Sequence, residues 1–228
     1  MSFVVAIDGP GGAGKSTVAR KVAKRLEYIY IDTGAMYRSV ALYCIETFIS
    51  LSDEEKISNI LDEIDIDIKY IDHEQRIILN DIDVTREIRT PSVAEGSSKV
   101  AALESVRKKL VAIQRNLAKD KNVIMDGRDI GTFVVPNAQV KIFLTASVDI
   151  RAKRRLKEMV EKGEKGVFEE IKEQIIKRDE RDINRKISPL KKADDAILLD
   201  TSNYSEEEVI EHVIALIKRR QENGSNTC

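Results

Sequence analysis

Eight residues near the start of the chain, Gly9-Pro10-Gly11-Gly12-Ala13-Gly14-Lys15-Ser16, have the types and spacing of a phosphate-binding loop. Glycine tolerates positive φ and carries no side chain, so successive backbone N–H groups can turn inward around phosphate oxygens. Lys15 adds a full positive charge, and the Ser16 hydroxyl can hold Mg²⁺. An apolar run, Phe3 to Ile7, precedes the loop and reads as a buried strand. A helix expected from about Lys15 to Leu26 points its positive dipole end at the same place. This context implies binding of ATP or GTP.

Three further stretches carry groups suited to phosphate chemistry. Asp32-Thr33-Gly34-Ala35-Met36-Tyr37-Arg38 follows a second apolar run, and Thr33 and Arg38 are spaced to hold a ligand. A helix N-cap at Thr33 with a solvated arginine fits the same residues. Asp126-Gly127-Arg128-Asp129 follows a third run. An aspartate there commonly orients a magnesium shell through water, so Asp126 is the candidate beside the alternative of a plain loop carboxylate. The third stretch is basic. Arg151, Arg154 and Arg155 read onto one helix, and Arg178, Arg181 and Arg185 onto one face of the next, with Asp182 beside them. A solvated charged face has the same spacing.

Phosphoryl transfer gives such a cluster a purpose. Two unit negative charges about 4 Å apart repel by roughly 4 kcal/mol at an effective dielectric of 20. Planar guanidinium groups offset that with paired donors. An ionised phosphate acceptor also needs no strong general base. His73 and His212 lie far from any ligand cluster and read as ordinary surface or half-buried residues.

The elements that must position these groups are legible in outline. Five apolar runs, Phe3 to Asp8, Tyr28 to Asp32, Asn122 to Asp126, Val140 to Thr145 and Ala196 to Asp200, alternate with helical patterns. That is the pattern of a parallel sheet covered on both faces, with ligands beyond the carboxyl ends of its strands. Asp65 to Ile71 alternates with period two, Arg76 to Leu79 is another short run and Asp81 to Ile88 a third. An antiparallel β insertion of about residues 60 to 90 is therefore expected. Ser205 and Glu208 form a capping box ahead of a final helix, and the tail from Gln221 to Cys228 reads as frayed.

The chain of 228 residues is long enough for a core domain with insertions, and its net charge is −1. That balance argues against a surface built for DNA or an anionic membrane. The charge is unevenly spread, at −9 over residues 46 to 95 and +6 over residues 151 to 192. Cys44 and Cys228 have no metal or redox spacing, and no protein-ligand metal cluster is visible. Too few apolar residues precede Asp8 for a signal peptide or membrane helix, so a cytosolic protein is expected.

Together these segments resemble bacterial cytidylate kinase, in the nucleoside monophosphate kinase family of P-loop kinases. The resemblance rests on Gly9 to Thr17, Asp32 to Arg38, Glu87 to Thr90, Asp126 to Thr132, Val140 to Leu144, and Arg178 to Asp182 with Asn184 and Arg185. It implies a three-layer P-loop kinase fold with a five-stranded parallel sheet, a small β insertion and a helical lid. The core would comprise residues 1–59, 91–150 and 186–228. Residues 60–90 would bind the nucleoside monophosphate, and residues 151–185 would form the lid and the arginine-bearing helix after it.

The resemblance further implies that ATP, with Mg²⁺, phosphorylates CMP and dCMP, and that the protein works as a monomer on small molecules. ATP would be held by Gly9, Pro10, Gly11, Gly12, Ala13, Gly14, Lys15, Ser16, Thr17 and Arg155, and the metal by Ser16 and Asp126. Asp32, Thr33, Arg38 and Arg128 would hold the acceptor, with Ser98, Arg107 and Asp129 reading the cytosine edge. Arg178 and Asp182 would contact the sugar and Arg185 the phosphates, and Lys15, Arg128, Arg178 and Arg185 would be catalytic. Ser98 and Arg107 are nine residues apart, on opposite faces of any single straight helix. Either the helix begins or breaks near Ser98, as Gly96 hints, or Arg107 reaches round. A P-loop kinase for another small acceptor is the alternative; a GTP-dependent switch lacks its Asn-Lys-x-Asp stretch here.

Overall fold

A computed structural model describes residues 2–71, 74–161 and 163–225. His73 and Cys228 lie outside them. Each apolar run of the sequence becomes a strand: β1 (Val4–Asp8), β2 (Ile29–Asp32), β6 (Val123–Gly127), β7 (Val140–Thr145) and β8 (Ile197–Asp200). They form one parallel sheet in the order β2-β6-β1-β7-β8. β1 is central, and its Val5, Ala6 and Ile7 are fully buried, which is why the run is continuously apolar and does not alternate. Its register sets Asp8 level with Gly127 of β6 and Phe143 of β7, so the loops after these strands leave from one edge.

Helices α1 (Lys15–Leu26) and α8 (Glu206–Ser225) share a core with this sheet, Val18 and Val22 from one and Val209, Val213 and Ile217 from the other. Ser205 and Glu208 form the expected capping box, with the Ser205 amide donating to Glu208 Oε2 at 2.8 Å. The helix itself runs on through Gln221 to Ser225, correcting the expectation of a frayed tail from Gln221. Helices α6 (Val148–Glu161) and α7 (Phe168–Asn184) pack on one another after β7.

By compactness the chain divides into residues 1–31 with 118–228, and residues 32–117. The second unit is wider than the 60–90 insertion. It contains α2 (Thr33–Glu46), α3 (Glu54–Ile60), strands β3 (Ile66–Ile71), β4 (Glu74–Leu79) and β5 (Ile82–Asp83), and helices α4 (Pro91–Val100) and α5 (Glu104–Leu117). Its core joins Met36, Val40, Ile57, Ile77, Ile88 and Leu110. β3 and β4 pair antiparallel from Ile66↔Leu79 to Ile71↔Glu74. The third run departs from expectation, because only Ile82 and Asp83 pair with β4 and residues 87–89 turn into a 3₁₀ segment. Asn80 and Asp81, both at positive φ, make the tight turn into it.

Candidate active site

The phosphate loop leaves β1 through a backbone that its glycines make possible. Gly9, Gly12 and Gly14 sit at φ +147°, +75° and +92°. A Cβ at Gly9 would lie 1.9 Å from the Leu144 carbonyl oxygen, so no side chain fits beside β7 there. Gly14 caps α1 with no side-chain hydrogen bond, which leaves the helix N-terminus to other acceptors. Lys15 is buried, and its Nζ donates to the Pro10 carbonyl at 2.8 Å. Burial first, and then the Arg128 charge, lowers its pKa to about 7; Arg178 adds to this while Asp126 and Asp8 oppose it. A buried amine among guanidinium groups that loses its charge is a site an anion would complete, and this fits a nucleotide's phosphates.

Ser16 donates to Asp126 Oδ2 at 2.7 Å, and Tyr30 donates to Asp126 Oδ1 at 2.8 Å. Among the described residues no three His, Cys, Asp or Glu side chains gather around a metal site. One carboxylate and one hydroxyl nevertheless suit Mg²⁺, which keeps several waters and takes phosphate oxygens. The residues present fit the ion.

The stretch after β6 is fixed from beneath by a residue that sequence reasoning did not place in the site. Asp8, the last residue of β1, accepts from the amides of Ile130 and Gly131 at 2.8 and 2.7 Å. Burial pushes its pKa up to about 6, against the pull of those two amides. The only sequence signal was its position at the end of an apolar run. Above it, Arg128 Nε donates to Asp182 Oδ2 at 2.8 Å, and Arg185 Nη2 to Asp129 Oδ1 at 3.3 Å. Burial would raise the Asp182 pKa, but the charge and hydrogen bond of Arg128, with Arg178 and Arg185, hold it below the usual range. Arg178 reaches the loop as well, its Cδ 3.7 Å from where a Gly11 Cβ would stand. The structure thus gathers Lys15, Arg128, Arg178, Asp182, Asp129 and Arg185. It corrects the single arginine face, because Arg181 is exposed and Arg185 is the cap beyond α7, in extended backbone.

The three arginines of α6 also part. Arg151 is buried, donating to the Gly11 carbonyl at 3.0 Å and pairing with Asp179 at 2.7 Å. Arg154 donates to the Ala13 and Thr201 carbonyls at 3.3 and 2.9 Å. Arg155 is exposed and pairs with Glu158 at 3.3 Å. Spacing could not reveal which of the three turn to the phosphate loop. Arg151 and Arg154 do, and neither was singled out as a ligand residue.

In the unit of residues 32–117, Asp32 caps α2 by accepting from the Ala35 amide at 2.9 Å, so the cap is Asp32 and not Thr33. Arg38 is not solvated but pairs with Asp32 at 2.8 Å. Burial would raise the Asp32 pKa, and Arg38, the Ala35 amide and Arg89 more than offset it. Thr33 is buried. Arg107 is 2 % exposed, with its guanidinium carbon 5.7 Å from the centre of the Tyr37 ring. The helix breaks between Val100 and Glu104, so Ser98 and Arg107 stand on different helices and their nine-residue offset no longer opposes them. Gly96 is not the break. A Cβ there would lie 2.9 Å from Leu51 and 3.3 Å from Ala41, so it serves the close approach of α4 to α2.

A glycine loop on the central strand of a parallel sheet, a buried lysine within it and a ring of arginines define a P-loop kinase, an enzyme of nucleotide-dependent phosphoryl transfer. A family model described as cytidylate kinase matches residues 5–219. The chain is 51% identical to a cytidylate kinase of Carboxydothermus hydrogenoformans over 96% of its length and 98% of the relative's. It is likewise 51% identical to a cytidylate kinase of Lactobacillus johnsonii, over 96% and 95%. The chain belongs to the cytidylate kinase family. A crystal structure of an uncharacterized protein from Eubacterium ventriosum shares the fold, with a TM-score of 0.55 at 12% identity over 95% of this chain and 99% of that one.

Proposed function

We propose that the protein phosphorylates CMP and dCMP, with ATP as donor and Mg²⁺ as the ion, giving CDP or dCDP and ADP. The observation that carries this is the match to cytidylate kinases at about half identity across nearly the whole chain. Mg²⁺ bound at Ser16 and Asp126 supplies charge neutralisation of the donor phosphates. The remaining work falls to the protein's own side chains. Lys15 and the loop amides bind the donor phosphates, with Arg155 as a further proposed contact. Arg38, Thr33 and Asp32 hold the acceptor. Arg128 gives its Nε to Asp182 and its Nη1 to the Gly127 carbonyl, and its Nη2 is the nitrogen proposed for phosphate oxygens. Arg178 and Asp182 are assigned the sugar, and Arg185 the phosphates.

Ser98, Arg107 and Asp129 are assigned the cytosine edge. The Ser98 hydroxyl oxygen is buried and makes no hydrogen bond among the described residues, so its polar group calls for a partner. Residues 151–166 act as a lid that excludes water, so that the phosphoryl group passes to a nucleotide and not to solvent. A coupled ADP-release assay over CMP, dCMP, UMP, AMP and dTMP, with ATP and then GTP as donor, tests the proposal. Turnover is expected with ATP and the two cytidine nucleotides. Strong turnover of another acceptor with none of CMP would end the cytidylate reading.

A further inference from the structure

Both oxygens of the Asp126 carboxylate are held by hydroxyl groups from different elements. Ser16, at the start of α1, holds Oδ2, and Tyr30, on β2, holds Oδ1. The two roles differ. Ser16 belongs to the phosphate loop and is exposed, free to serve a ligand as well. Tyr30 is 7 % exposed within the sheet's core, where Val5, Ile124 and Val22 are its companions. For packing alone a phenylalanine would serve there, since a buried hydroxyl costs free energy unless it is bonded. The hydroxyl on this ring therefore calls for a use, and it donates to the same Asp126 carboxylate that accepts from Ser16.

We propose that Tyr30 is a positioning residue for the divalent cation: its hydroxyl fixes the orientation of the Asp126 carboxylate so that it meets a hydrated metal ion in one pose. This rests on the reading of Asp126 as part of the magnesium shell. The physical basis is the neighbouring-donor effect at metal sites, where a ligand's own hydrogen-bond partner sets its direction and basicity. A carboxylate held at one oxygen only swings about its Cβ–Cγ bond, and ordering it must then come out of the binding energy of the ion.

The test is Tyr30→Phe, which keeps the ring and removes one oxygen. Mn²⁺ is titrated into the ADP-loaded protein while free Mn²⁺ is followed by electron paramagnetic resonance. ADP affinity is measured separately in EDTA. Mn²⁺ binding is expected to weaken about 10-fold, in the range that outer partners of metal ligands command. ADP affinity without metal and the KM for CMP should stay as in the parent, while kcat falls. Mn²⁺ affinity within about twofold of the parent overturns the proposal, as does a metal-free ADP affinity that falls by the same factor as the Mn²⁺ affinity. Asp126→Asn separates the two layers. If it loses Mn²⁺ while Tyr30→Phe does not, the tyrosine's role fails and the Asp126 reading stands; if it binds Mn²⁺ as the parent does, both fall.

Discussion

At the scale of single residues, Lys15 combines a function with a cost. Its folded pKa of about 7 lies below the ordinary 10.5, so between those values the folded state holds fewer protons than the unfolded one. Stability accordingly rises with pH across that window, and the penalty is fully present below pH 7, at most roughly 5 kcal/mol. Replacing the amine by an apolar chain of similar length should relieve it. Lys15→Met is expected to unfold at a higher temperature than the parent while losing at least about 100-fold in turnover, the scale on which lost transition-state donors are felt. A variant that kept its activity, or melted lower, would contradict this account. The same shift makes nucleotide binding a proton reaction. At pH 8 the free amine is mostly neutral, and bound phosphates should recharge it, so ADP binding takes up as much as about one proton. Calorimetry in buffers of different ionisation heat reads this directly; an enthalpy independent of buffer would count against it. Lys15 and Ser16 were legible from sequence because their motif is contiguous. Tyr30, Asp8 and Arg151 were not, since each acts on an atom more than ninety residues away.

At the scale of elements, the close packing of neighbouring strands decides what the loops can be. Gly9 abuts the backbone of β7, and backbone cannot swing aside as a side chain would. Gly9→Ala is therefore expected to cost about 2 kcal/mol or more in urea unfolding, and to lower the melting temperature by about 4–8 °C. A stability unchanged by the substitution would show that β1 and β7 can separate at this edge without penalty. Continuous apolar runs made all five core strands readable to within a residue. β5 was less legible, because Asp81 to Ile88 has the composition of a strand while only its first residues find a partner. A break near Ser98 was one of the alternatives legible in the sequence, but its place between α4 and α5 was not, for a related reason. Ala101, Ala102 and Leu103 are good helix formers, so local propensity does not mark the place.

At the scale of the molecule, two separate cores account for the chain. One gathers the sheet with α1 and α8, the other gathers α2 to α5 and the small sheet, and they share no residue. Ile142→Val in the first and Ile88→Val in the second should each cost about 0.5–1.5 kcal/mol, and the double variant should be additive within about 0.5 kcal/mol. A coupling energy above about 1 kcal/mol in urea unfolding would show that the cores are energetically joined. The uneven charge follows the same division, with the acidic segment in one unit and the basic segment in the other. The amino-acid sequence alone determined the phosphate loop, the order of strands and helices, and the family. Those depend on neighbouring residues and on periodicity along the chain. Only the tertiary structure decided that Asp8 holds the stretch after β6, that Arg151 and Arg154 turn inward while Arg155 and Arg181 do not, and that Asp126 has two hydroxyl partners. Such pairings are made by strand register and helix packing across long separations, and no local pattern in the chain encodes the distance between two atoms so far apart in it.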